Sequence, residues 1–172
     1  MSVVDEKVCR VLRTIFRTSM NPQKVMGNIC SEGHYDACRK IGEEGIVLLR
    51  NEISGNQKES SAKPLLPLDI TKYKHILVVG DNAVRSLTKG GGSSELKTLR
   101  DISPLSGLLS LFSDSHPQVS VDYAAGYYAG RALYDKVDTL DPVRQETLRK
   151  EALEKAKEAD LLIFIGGLNK NN

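Results

Sequence analysis

Four acidic residues, Asp81, Glu95, Asp101 and Asp122, stand at or near turns in this chain of 172 residues. Cleavage of a glycosidic bond needs two carboxyl groups about 5–9 Å apart across a sugar ring. Spacing along the chain brings no two of these four together. Glycine supplies the second kind of candidate. Two apolar runs end in glycine turns, "VVGDNA" (78–83) and "FIGGLN" (164–169), and a third cluster, "KGGGSSEL" (89–96), lies between them in sequence. Such a cluster, three glycines followed by two serines, can bring backbone N–H groups and small hydroxyls close to a ligand. The run does not fit G-x-G-x-x-G directly after a strand, and Lys89 precedes the glycines instead of following them as a Walker lysine does. A small Rossmann-like module holding a nucleotide or another anion through "GDNA" and "KGGGSS" stands as the alternative. A plain surface loop accounts for a Gly-Ser cluster equally well.

The other chemistry-bearing residues point to less. His34, His75 and His116 are the only histidines. His75 opens a strand-like run and His116 sits in the turn "DSHPQ", and residue type alone makes neither a catalytic base. Cys30, His34 and Cys38 are spaced four and four, but structural zinc takes four ligands. Only Cys9 is left as a fourth, and Gly33 is expected to interrupt a helix there, so no metal and no cofactor is expected. Three cysteines cannot close a disulfide framework. With no Trp and only three Phe, a complete sugar pocket with aromatic walls is not expected within this chain.

The elements that must position these residues fall into two kinds. Ser2 and Asp5 form a capping-box pattern, and Val4, Val8, Val11, Leu12 and Ile15 then share one stripe, so a helix is expected over 3–18. "NPQKVMGNIC" is a connector broken by Pro22 and Gly27. A second helix is expected over 34–50, with Ala37, Ile41, Gly45 and Leu48 on one side. Its charged start can face water. Its apolar end, "GIVLL", is expected to be buried nearly all round. Gly42 and Gly45 suggest close approach of another backbone. "SGNQKESSAK" reads as a polar, flexible loop, and "PLLPL" as an extended lead-in.

Beyond it the pattern alternates. "HILVV" (75–79), "VSVDY" (119–123) and "LLIFI" (161–165) read as strands. The first and third are continuously apolar, as expected of strands covered on both faces of a parallel sheet. Helices are expected over 103–112 and 142–159, the latter with Pro142 in its first turn and Leu148, Ala152, Ala156 and Ala159 inward. This order implies βαβ crossovers. The net charge of +2 gives no reason to expect nucleic acid or an anionic membrane as a partner. No apolar run approaches the roughly 20 residues that cross a bilayer, and the first residues lack the apolar core of a secretory signal. Localisation is left open.

Taken in order, "HYDACRKIGEEGIVLLRNE", "LPLD", "HILVVGDNAV", "GGGSSEL", "ISPLSGL", "VDYAAG" and "EALEKAKEADLLIFIGGLN" resemble the second domain of family-three glycoside hydrolases, the β-glucosidase and β-xylosidase group. "SVVDEKVCRVLRTIF" resembles the closing helix of that family's first, barrel domain. The resemblance implies a three-layer αβα sandwich with a mostly parallel sheet. It implies residues 1–30 as terminal helix and linker from a barrel, and 31–172 as part of the sandwich domain. It also implies a retaining mechanism on an oligosaccharide or glycoside held between two domains. In the family the nucleophile is an aspartate of the barrel, and the acid/base of members with a "GLN" strand end lies just beyond it. Neither is expected in this chain, which then supplies one wall of the sugar site and is inactive alone. "GGGSSEL" would face the pocket, with Gly91, Gly92, Ser93 and Ser94 lining its entrance. Glu95 is the one carboxylate on that loop and the only acid/base candidate. A solvated carboxylate at a helix start, favoured by the dipole, accounts for Glu95 as well.

A three-stranded sheet ending in an apolar strand leaves a face or an edge open. The chain is therefore expected to self-associate as a homo-oligomer. Light scattering at high concentration should report a dimer or larger, and a monodisperse monomer would count against this.

Overall fold

The computed structural model describes residues 2–25, 27–52, 63–86, 93, 97–130 and 141–167. The chain divides into two compact units, Met1–Leu49 and Arg50–Asn172. In the first, α1 spans Val3–Arg17. The Ser2 hydroxyl accepts from the Asp5 N–H at 3.2 Å, and the Asp5 carboxylate accepts from the Ser2 N–H at 3.0 Å. That reciprocal pair satisfies two of the donors a helix start leaves open. Helix α2 spans Glu32–Gly45. It begins two residues earlier than expected, and Gly33 falls within its first turn. Cys30 lies outside it with φ of 54°, so Cys30, His34 and Cys38 do not share one helix face. His34 serves the helix start instead, its Nδ1 accepting from the Ser31 N–H at 3.2 Å.

The end of α2 corrects the sequence expectation more strongly. The helix stops at Gly45, and Ile46 is already extended, with ψ of 125°. Glycine is a poor helix former, and the β-branched Ile46 and Val47 that follow favour extended backbone. Residues 46 to 49 are 61–92% exposed, not buried. A Cβ placed on Gly42 or Gly45 would meet nothing within 4 Å, so neither glycine marks a close approach.

The second unit is an α/β sandwich. Asn51 ties its entry down: its side chain donates to the Leu66 carbonyl at 2.8 Å and accepts from the Leu66 N–H at 3.0 Å. Three parallel strands follow, β1 (His75–Val79), β2 (Ser120–Ala124) and β3 (Leu161–Phe164), in the order β2-β1-β3. Helix α3 (Pro104–Ser115) connects β1 to β2, and α4 (Pro142–Ala156) connects β2 to β3. Both begin with proline behind a side-chain cap, Ser103 for α3 and Asp141 for α4. The first crossover steps one way from β1 and the second steps back across it. With the same right-handed sense, the two helices must lie on opposite faces.

Alternation along β1 feeds both faces. Leu77 and Val79 pack with Ala124 and with Ala152 of α4, and Ala156 and Ala159 join them. Ile76 packs with Val119 and with Phe112 of α3. Ile76, Leu77 and Val78 are 0% exposed, as the continuous apolar run requires. Among the described strands β3 has β1 as its one neighbour, which leaves the open edge expected from the sequence. Leu161 and Ile163 pack on the α3 side, but Leu162 and Phe164 remain 48% and 61% exposed beside α4. Leu77→Ala should therefore lower the unfolding free energy by about 3 kcal/mol, with cavity and transfer costs both present. Leu162→Ala should cost less than about 1 kcal/mol. Urea unfolding of the two variants tests this placement, and equal losses would contradict it.

Candidate functional site

Open parallel sheets bind ligands outside the carboxyl ends of their strands, where successive connections leave in opposite directions. Here the carboxyl ends of β1 and β3 lie side by side. The chain leaves β1 towards β2, and β3 stands on the other side. Three strand ends meet there. The Ile165 N–H donates to the Val79 carbonyl at 2.7 Å, and the Gly80 N–H donates to the Ala124 carbonyl at 3.1 Å.

Gly80 makes that junction possible. Its φ is 139°, a region closed to other residues, and a Cβ there would lie 2.1 Å from the Ile165 carbonyl oxygen. After it, Asp81–Ala83 form one short 3₁₀ turn. Asn82 turns inward and is 3% exposed. Its Nδ2 donates to the Gly167 carbonyl at 3.2 Å, which ties the exit of β1 to the exit of β3. Its buried Oδ1 accepts no hydrogen bond from the described residues. Leaving such an acceptor unmet costs about 1–3 kcal/mol.

Asp81 is engaged in structure. Its Oδ2 accepts from the Arg85 guanidinium through Nε, at 3.0 Å, and Nη2, and from the Ala129 N–H at 2.8 Å. The side chains of Asp81 and Arg85 are 15% and 22% exposed. The Arg85 guanidinium lies 5.8 Å from the Tyr128 ring centre, and Arg144 of α4 lies 3.9 Å from it. Gln145 clamps the same residue: it accepts from the Tyr128 N–H at 2.9 Å and donates to the Tyr128 carbonyl at 2.8 Å. Tyr127 donates its hydroxyl to the Ile165 carbonyl at 2.8 Å. The segment after β2 is thus pinned to both neighbouring strand ends. Burial, reinforced by the nearby Asp81 carboxylate, pushes the Tyr123 phenol above its usual value, so it stays protonated.

Glu95, Gly91, Gly92 and Ser94 lie outside the described residues, and Ser93 is exposed. Asp101 is exposed. Asp122 bonds His75, at the amino end of β1, while Asp81 serves Arg85 and Ala129 at its carboxyl end. These two carboxylates therefore serve opposite ends of the sheet. His116 caps α3, its ring 6.3 Å from that of Phe112. Sequence reasoning passed over Asn82, Arg85, Tyr128 and Gln145. The four-residue spacing of Asp81 and Arg85 was a visible signal, whereas nothing local marks Gln145.

The family model described as the glycosyl hydrolase family 3 C-terminal domain matches residues 46–172. A β-glucosidase of Bacteroides ovatus is 51% identical over 172 residues, which is 100% of this chain and 22% of that protein. A β-xylosidase of Formosa agariphila is 24% identical over 175 residues, 97% of this chain and 21% of that protein. Among solved structures, a β-glucosidase of Erythrobacter marinus superposes with a TM-score of 0.63 at 30% identity, covering 82% of this chain and 18% of that one. The chain thus spans about a fifth of the length of these relatives.

Gly80→Ala should cost about 3 kcal/mol or more, because the side chain meets backbone that cannot move without breaking the β1–β3 junction. Guanidinium unfolding checks this. A loss below about 1 kcal/mol would mean that the two strand ends are not in contact.

Proposed function

The chain belongs to glycoside hydrolase family 3 through that family's C-terminal domain, and on that premise we propose that it forms one wall of the sugar site in a retaining β-glycosidase. The observation that carries this reading is the rigid junction at the carboxyl ends of β1 and β3. From it leave both the connection that contains Gly91, Gly92, Ser93, Ser94 and Glu95 and the segment that follows Gly167. Anchored strand ends hold loops at a fixed distance from a substrate, which is what positioning contributes to catalysis. A glucoside is favoured over a xyloside by the far greater identity to the β-glucosidase.

In this reading the nucleophilic carboxylate comes from a barrel domain, as the resemblance implies, and glycine backbone and serine hydroxyls bind sugar hydroxyls. Glu95 is the acid/base candidate of this wall. Protonation of the leaving oxygen by such a group is worth about 10²–10⁴ in rate. The nucleotide alternative is weaker on physical grounds. Gly80 and Ile165 close against each other where a phosphate would enter. The Arg85 guanidinium beside that turn is already taken up by Asp81, and the 3₁₀ turn Asp81–Ala83 is too short to offer a helix start to an anion.

A graft tests the proposal. Residues 1–172 replace the matching stretch of the Bacteroides ovatus β-glucosidase, and release of nitrophenol from aryl β-glucosides is measured. The graft should keep activity within about tenfold of its parent, a difference of about 1.4 kcal/mol in the barrier. The 172-residue chain alone should show none. A folded but inert graft, or turnover by the chain alone, overturns the proposal. Glu95→Gln in the graft then separates an acid/base, with a loss of about 10²–10⁴, from a loop carboxylate with none.

A further inference from the structure

His75 opens β1 at the end of the sheet opposite the glycine turns. Each of its ring nitrogens faces an acceptor. Nε2 lies 2.9 Å from the Asp122 carboxylate on β2. Nδ1 lies 3.0 Å from the backbone carbonyl of Glu158, in the turn between α4 and β3. A carboxylate and a carbonyl can only accept. A neutral imidazole has one N–H and would serve one partner while setting lone pair against lone pair at the other. An imidazolium serves both.

The surroundings favour that charge. Asp122 faces the ring from β2, and Glu158 and Asp160 approach from the turn before β3. Lys74, its chain neighbour, carries a cation whose charge acts on Asp160. Asp160 also holds the backbone, its Oδ2 accepting from the N–H groups of Lys74 at 2.9 Å and His75 at 3.0 Å. The ring is 24% exposed, open enough to exchange its proton with solvent.

We infer that His75 is a proton-dependent clasp: as an imidazolium it ties the start of β1 to β2 and to the α4–β3 turn, and deprotonation releases one of the two ties. The Asp122 hydrogen bond, followed by that of the Glu158 carbonyl, raises the histidine above its ordinary value of 6.5. The stability it contributes is complete below that ordinary value and is lost as pH rises through the raised one. Asp160 works in the other direction. The N–H groups of Lys74 and His75 hold it below the usual carboxylate range, so its contribution is lost only as pH falls through the depressed value. The amino end of the sheet is most stable between these limits, in mild acid.

Long-range ¹⁵N–¹H NMR on the intact chain reads the ring directly, with pH stepped from about 5 to about 9 across the histidine range. At pH 6.5, His75 should show two protonated ring nitrogens in more than half of the molecules. Asp122→Asn keeps an acceptor but removes the charge, and should lower the titration midpoint by about half a pH unit or more. Thermal unfolding should fall between pH 6 and pH 8 more steeply in the wild-type chain than in His75→Gln. A midpoint at or below the ordinary histidine value, one neutral tautomer at pH 6.5, or equal slopes for wild type and His75→Gln would each overturn the inference.

Discussion

The contact between Gly80 and the carbonyl of Ile165 sets the geometry of the whole carboxyl end of the sheet. Two backbones meet there with no room for a side chain. Because they meet, Ile165 can complete the β1–β3 ladder one residue past the end of β3, and Asn82 can reach the Gly167 carbonyl. Tyr127 reaches the same Ile165 carbonyl from the segment after β2. Gly126 follows the same logic on a smaller scale, with φ of 68° and Val79 where a Cβ would go. The junction is dense with hydrogen bonds to backbone groups.

The two ends of the strands divide the work. At the carboxyl end, side chains are spent on holding backbone: Asp81 on Ala129, Asn82 on Gly167, Gln145 on Tyr128. At the amino end, His75, Asp122 and Asp160 bind one another's elements through groups that change charge with pH. Between them lie Ile76, Leu77 and Val78, with no exposure at all.

Much of this architecture was legible in the sequence because its signals are local. The run "HILVV" matched β1 to the residue, and β2 and β3 fell within one residue of expectation. Pro142 marked a helix start, and Ser2 with Asp5 formed the expected capping box. What failed depended on distant neighbours. Ile46 to Leu49 carry no breaker other than Gly45, so their apolar run read as a helix, although two β-branched residues argued for extended backbone. Gly80 was read as a turn residue, whereas its close approach to Ile165, 85 positions away, leaves no local trace. The glycine-serine residues singled out for binding fall, except for Ser93, outside the described residues.

Asn51 binds Leu66 through both ends of its amide, in the manner of one strand pairing with another. The two anchor points are thus joined by side chain and backbone, independently of the chain that connects them. Lengthening such a connection costs little, about 0.6 kcal/mol per doubling. The entry to the sandwich is therefore fixed by two residues fifteen positions apart and not by the length of chain between them.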